Sequence, residues 1–536
     1  MELLMDAKVN QEALKWATEI NDDCKDSDSN ASSMSTPKLN PSRATLFSIA
    51  ATVAAVYTVS AVVYGAKKKK QLPDGARLPP HWKSYVPYIG SGLQLVSGLA
   101  RDFITETAKK LNAPVFTATI NGAKCLFIAD SDLAFVVFKQ IPEIDSMSLQ
   151  RQALLTLSGI DPATAEEIVS DKEVQKRLYG QLHKYFLQTD ELSKTTEAAQ
   201  RVIWKILEAT NLSTAGGEWK SFNLFEFSRD FVFFASAGPV ISNGLETQEQ
   251  LLEIYSKFEE GIPLLFADAP SFLTKESAAA REQLVQILMT PEVDKGLSEY
   301  FKERKDLYGH SPEVLARMNV GMFIATVSNS IPAVFWVLCH LLHTPNALEA
   351  CIEEVKQVAN TKANQEDLFS LEELDKMPLL HSCFKESLRM YQCTFNVRSV
   401  AGDFILNPKE KDGPKYLIEK GTRMMGYTAT AHMDPSIFEN PETFQYDRFL
   451  DPTKKALNGK RLSSYWRPFG GGAHLCPGRK YISYEARAFL ATLLLKVDIK
   501  LDDPREPIPT IALHRQGFSV AHPNKDPKFL VKVKDS

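Results

Sequence analysis

Residues 468–479 read Pro-Phe-Gly-Gly-Gly-Ala-His-Leu-Cys-Pro-Gly-Arg, PFGGGAHLCPGR. Three glycines lead to one cysteine, and a proline follows it. Gly470, Gly471 and Gly472 permit positive φ angles and let the backbone come close to a flat partner. Pro477 suits the first turn of a helix, where a missing N–H costs nothing. The next stretch, GRKYISYEARAFLATLLLKV, places Ile482, Ala486, Phe489 and Leu490 on one helical face. Cys476 is therefore predicted at a helix N-terminus, a position that lowers a thiol's pKa and favours the thiolate. Pro477 has no N–H to give, so the N–H groups of Gly478 and Arg479 are the predicted donors to the sulfur. Thiolates are soft ligands, and haem iron is among their targets. The competing possibility is a glycine-rich turn around an inert thiol. A phosphate-binding loop is excluded, because no Gly-Lys-Ser/Thr occurs here.

Upstream, residues 372–391 (EELDKMPLLHSCFKESLRMY) are apolar on two sides of a helix. Met377, Leu380, Phe384, Leu388 and Tyr391 share one face. Leu379, Cys383 and Met390 share another, and steps of about 100° put Glu386 in that second arc. A carboxylate there needs a partner. Arg389, three residues on, can reach it, and Arg448 in FQYDRFLD is a candidate third member.

No Asp, Glu, Lys or Arg lies between Arg317 and Glu349. The polar centre of this run, Ser328, Asn329, Ser330 and Pro332, argues for a buried core helix rather than a membrane span. Pro332 lacks an N–H and clashes with the carbonyl four residues back, so the helix is predicted to open at Ser328. The freed carbonyl there must find water or a ligand.

Further helices are predicted around 101–111, 171–186, 191–210, 246–260 and 346–359. Strands are predicted at 114–120 and 123–129, joined by Asn121-Gly122 as a hairpin. With 536 residues, 44% hydrophobic and 24% charged, the composition is that of a globular protein. The net charge of −4 gives no support for nucleic-acid binding. Seven cysteines at irregular spacing, without Cys-x-x-Cys, argue against a disulfide framework and a zinc ribbon.

Residues 44–66 (ATLFSIAATVAAVYTVSAVVYGA) carry no charge and are long enough to span a bilayer core of about 30 Å. Lys67 to Lys70 follow, and the positive-inside rule keeps them cytoplasmic. The expected organisation is an acidic, disordered tail at 1–43, a transmembrane helix at 44–66, a basic stop and proline-rich hinge at 67–90, and a catalytic domain at 91–536. Asn30-Ala-Ser32 is a glycosylation sequon on the luminal side of that scheme.

Phe469, Gly470, Gly472, Cys476 and Gly478, with Glu386-x-x-Arg389 and then Arg448 before them, resemble the cytochrome P450 family over about residues 72–536. The run Asn329-Ser-Ile-Pro-Ala-Val-Phe-Trp336 is similar to the branch holding the sterol 7α- and 12α-hydroxylases and prostacyclin synthase. The resemblance implies a mainly α fold: a large helix-rich haem-thiolate domain with a small β-rich subdomain. It implies that Cys476 is the proximal ligand of haem b, and that Glu386, Arg389 and Arg448 form the ion-pair cluster behind the ligand loop. Arg398 and His474 are implied contacts to the haem propionates; many members place an arginine where His474 stands. Ser328 and Asn329 stand where most members carry an acid and a threonine for proton relay, a departure from the pattern.

The implied activity is monooxygenation of an apolar lipid, a sterol above all, with electrons from NADPH through a reductase and with cytochrome b5 as a further partner. The implied location is the endoplasmic reticulum membrane, single-pass, with the catalytic domain cytosolic. The alternative is an electron-independent isomerase or dehydratase of lipid peroxides, of the prostacyclin synthase type. Segments 140–165 and 265–275 are read as loops lining the substrate's way in.

Overall fold

In this computed structural model the uncharged run forms two helices, Pro312–Val327 and Ser330–His343, within one 32-residue helical stretch. The structure describes residues 72–73, 75–84, 90–134, 142–145, 147–209, 218–308, 311–361, 368–407 and 414–534. The predicted tail 1–43, membrane helix 44–66 and Lys67–Lys70 lie outside them.

Ser311 caps the first helix by accepting from the Val314 N–H, with Pro312 in the first turn. The stretch interrupts at Ser328 and Asn329, where Pro332 removes the donor for the Ser328 carbonyl. It is apolar enough to cross a membrane, with a mean hydropathy of 1.7, yet 78% of that window is buried inside the fold. Ser330 through Leu342 are all buried, so this helix is the axis of the core. Trp336 stacks on Tyr391 at 3.6 Å and its indole N–H donates to the Ala521 carbonyl at 2.6 Å. That contact joins the central helix to the Pro378–Tyr391 helix, which carries Glu386 and Arg389.

Among the described residues the fold is mainly helical with three small sheets. The largest, of six strands, runs His81–Trp82, Val115–Ile120, Ala123–Ile128, Arg423–Tyr427, Phe395–Val400 and Ile144–Asp145. Its hairpin turns at Asn121 (φ 47°) and Gly122 (φ 73°), with Ile120 opposite Ala123, as two positive-φ residues require. Arg423–Tyr427 pairs parallel to Ala123–Ile128 and antiparallel to Phe395–Val400, which sets Arg398 opposite Met424.

Two regions differ from the sequence expectation. Within 140–165 the described residues include the helix Met147–Thr156 and the start of a helix from Pro162, the latter capped by the Asp161 carboxylate on the Ala163 and Thr164 N–H groups. Segment 265–275 spans the end of Ile262–Phe266 and the start of Ser271–Leu288. The phenylalanine-rich helix Leu224–Val240 was not anticipated; it packs a mostly buried body against the central helix. Its internal Pro239 deprives the Ala235 carbonyl of a donor, and Tyr481 Oη supplies one at 3.4 Å.

Candidate active site

The loop that delivers Cys476 is closed by its own backbone: the Cys476 N–H donates to the Phe469 carbonyl at 3.0 Å. Gly470 (φ 76°) and Gly472 (φ 63°) adopt left-handed conformations that favour glycine, whereas Gly471 is extended. The helix that follows is Arg479–Lys496 with Gly478 as its N-cap. Pro477 therefore precedes the first turn instead of occupying it, because the Arg479 N–H (3.4 Å) and guanidinium (2.9 Å) both turn back to the Cys476 carbonyl. A Cβ on Gly478 would stand 3.8 Å from the sulfur, so glycine there leaves that flank of Sγ open.

The N–H groups of Gly478 and Arg479 act on the sulfur and favour the thiolate, as does the Arg479 charge. Burial opposes them and prevails, raising the thiol's pKa. The expected lowering by the helix terminus thus fails for the sulfur alone: desolvation outweighs the dipole. A metal cation at the sulfur would reverse that balance.

Behind the loop, Glu386 and Arg389 are completely buried and Arg448 nearly so, at 2% exposed. Arg389 donates bidentately to Glu386 at 2.8 Å each, and Arg448 Nε reaches both carboxylate oxygens at 3.0 Å. The remaining donors are used: Arg389 Nη1 on the His432 carbonyl (2.8 Å), and Arg448 Nη1 on the Glu439 carbonyl (2.9 Å). His432 is held neutral, its pKa pushed down to about 3 by burial and by Arg389. Its Nε2 then accepts from the Arg467 N–H at 2.9 Å, one residue before the quoted stretch. The Trp466 indole N–H donates to the Lys385 carbonyl at 2.9 Å. The ion-pair cluster is thus wired through hydrogen bonds to the root of the cysteine loop.

Arg398 is 8% exposed and donates to the Val397 carbonyl at 2.7 Å; no carboxylate pairs with it among the described residues. A guanidinium stays charged, so this one calls for an anion. His474, on the Gly472–His474 turn, lies within electrostatic reach of Arg398 and Asp145, with partial burial and then Arg398 lowering its pKa. Among the described residues no three His, Cys, Asp or Glu converge as a metal site.

At the helix break, Ser328 Oγ lies 2.6 Å from Tyr255 Oη, and Asn329 Oδ1 accepts from the Val520 N–H at 3.2 Å. Ser330 Oγ donates to the Thr326 carbonyl at 2.7 Å. Ala325 is exposed and Asn329 half-buried, while Phe323, Val327 and Ser328 are buried. The row Ala325–Asn329 is thus the less covered side of this helix.

The cytochrome P450 family model matches residues 278–529, the part that holds the uncharged helix, the ion-pair cluster, Arg398 and the cysteine loop. The chain belongs to the cytochrome P450 family. It is 28% identical to cholesterol 7-alpha-monooxygenase of Cricetulus griseus, over 88% of this chain and 96% of the relative. It is 26% identical to cytochrome P450 7B1 of Mus musculus (85% and 91%) and 27% identical to prostacyclin synthase of Bos taurus (84% and 92%). This P450 is thus related both to sterol hydroxylases and to prostacyclin synthase. Haem is the cofactor expected of the family, and the donor set fits it: one thiol flanked by two N–H groups, and a buried guanidinium lacking an anion.

Sequence reasoning missed Tyr255 and Glu259, which interact with Ser328, and Arg515, which pairs with Glu259. The signal was present. In LLEIYSKFEE (251–260) the buried face is Leu251, Tyr255, Phe258 and Glu259, so the periodicity that exposed Glu386 also marks Glu259 as a carboxylate on an apolar face.

Proposed function

We propose that this P450 is a membrane-anchored haem-thiolate monooxygenase that hydroxylates an apolar lipid, a sterol above all. The observation that carries this is the pairing, in one P450 chain, of the Cys476 loop with the anion-seeking Arg398. Cys476 would hold the iron, with Phe469, Gly470, Gly472 and Gly478 shaping the approach of the backbone. Arg398 and His474 would hold the propionates, and Glu386, Arg389 and Arg448 would fix the loop's position. Bound haem-thiolate supplies the dioxygen chemistry, with the thiolate's electron donation favouring O–O cleavage. Ser328 and Asn329 would pass protons at the helix break. Asn329 is anchored by the Val520 N–H, so its amide keeps one orientation while its NH2 remains available. Electrons would come from NADPH through a reductase, with cytochrome b5 as a further donor. Residues 44–66 would anchor the chain in the endoplasmic reticulum membrane, leaving the catalytic domain cytosolic.

The test is turnover of a sterol panel by the purified full-length protein with reductase and NADPH. The expected product carries one oxygen atom derived from labelled O2. The similarity to prostacyclin synthase supports a second reading, an electron-independent isomerase of lipid peroxides. Rearrangement of a lipid endoperoxide without NADPH, and no sterol oxidation with it, would establish that reading and overturn the first.

A further inference from the structure

The break at Ser328 faces a second helix, Leu251–Glu260, whose Tyr255 and Glu259 are buried. Tyr255 Oη meets Ser328 Oγ at 2.6 Å, and the Ser328 hydroxyl also favours the Glu259 carboxylate. Glu259 is 9% exposed, and its Oε1 has no hydrogen-bond partner among the described residues. Arg515 is its nearest cation, but weakly placed: Nη2 lies 3.4 Å from Oε1, while Nη1 donates to the Glu259 main-chain carbonyl at 2.5 Å. His522 Nε2 stands farther off, at 3.8 Å.

On its other side this carboxyl lines a cavity of about 250 Å³, together with Tyr255, Arg515, His522, Arg229 and Ile331. That volume has room for several waters, and its polar lining can hold them. Glu259 therefore stands between a wettable space and the point where the core helix opens. Two opposed effects act on it: burial raises its pKa, and Arg515 and Ser328 pull it back. Tyr255 is a poorer source of a proton, since burial pushes its phenol well above the usual range. It is placed instead to orient the Ser328 hydroxyl.

We propose that Glu259 supplies the protons that reach the helix break. Its carboxyl gives a proton to Ser328 Oγ as the serine's own hydroxyl proton passes to a water held at the helix break by the open carbonyl and Asn329. The carboxylate then takes back one proton from solvent, relayed through water in the cavity, so each proton delivered is matched by one taken up. Glu259 acts through Ser328 and is a positioning residue for the proton. It takes the place of the acid that the central helix lacks. This inference rests on the monooxygenase function proposed above.

The test uses the full-length protein with haem, reductase, NADPH and a sterol it oxidises. Glu259→Gln keeps the shape and an oxygen for Arg515 but has no carboxyl proton to give. The fraction of NADPH recovered as hydroxylated product is expected to fall at least about tenfold, a floor below the roughly 10²–10⁴-fold typical of general acids, with peroxide rising and the substrate-binding spectrum unchanged. Glu259→Asp should recover much of the loss. Ser328→Ala, which leaves the Glu259–Arg515 pair intact, should reproduce it. Independently of turnover, the infrared difference between parent and Glu259→Gln should contain one carboxyl C=O band that Ser328→Ala displaces. Parental coupling in a folded, haem-loaded Glu259→Gln protein, or a carboxyl band indifferent to Ser328→Ala, would overturn the proposal. A parent protein that makes no NADPH-dependent product would instead defeat the monooxygenase reading, and this inference with it.

Discussion

Two buried carboxylates meet arginine in this molecule, and their surroundings differ. Glu386 receives two guanidinium groups and the Gln445 N–H, all within 3.1 Å, and the spare donors of both arginines end on carbonyls. Glu259 has one arginine at 3.4 Å, an oxygen with no hydrogen-bond partner among the described residues and a cavity beside it. A saturated cluster has one low-energy arrangement and suits a part that must hold a loop still. An unsaturated carboxyl next to water can change protonation, which suits a part that moves protons. The difference separates a part that holds a loop still from a part that moves protons, without reference to any ligand.

The largest effect expected follows from the saturated side. Glu386→Ala leaves two guanidinium groups buried without a counter-charge, and arginine cannot escape by losing its proton. A loss of about 3–5 kcal/mol is expected, read as a lower denaturant midpoint with failure to retain haem. A midpoint close to the parent's would remove the cluster from its structural role.

Next comes pH. Glu485, on the helix after Cys476, is buried and hydrogen-bonded by Ser236 at 2.6 Å and Tyr481 at 3.3 Å. Burial pushes its pKa up to about 8, against those hydrogen bonds. A carboxyl with a raised folded-state pKa favours the native state while protonated. Its contribution is full below the ordinary carboxylate range and is lost as pH rises toward 8, by a few kcal/mol at most. His340, His381 and His432 work the other way. Burial lowers each to about 3, so their neutral forms favour the fold above the ordinary histidine range, and that stability is lost as pH falls. Melts from pH 6.5 to 9 should therefore show declining stability in the parent and a flatter profile in Glu485→Gln. An identical slope in both would place the titration elsewhere.

The smallest effect belongs to the unsaturated side. Glu259→Gln should change stability by no more than about 1 kcal/mol, because the amide keeps a partner for Arg515 and sheds a desolvated charge. A loss as large as that of Glu386→Ala would erase the contrast between the two sites.

Much of this was legible in the sequence because it is local. Glu386 and Arg389 sit three apart on one helix, Asn121-Gly122 dictates its own turn, and Pro332 opens the helix four residues back. Arg448 was within reach as a candidate, but its distance from Glu386 was not, since 62 residues separate them. The Val497–Leu501, Lys528–Val533 and Lys220–Asn223 sheet joins strands from distant parts of the chain and left no local trace. The thiol's pKa was misjudged because a helix terminus is visible in a sequence and desolvation is not. Glu259 lay in plain periodicity, yet Ser328 and Arg515 meet it only in three dimensions.

The central claim is that Cys476 holds haem iron, and ligation can be read directly. The full-length protein, reduced under carbon monoxide, should give the red-shifted Soret band of thiolate-bound haem. Cys476→Ser should lose that band, together with NADPH-dependent turnover. The same Soret band and activity in the Cys476→Ser protein would contradict the account.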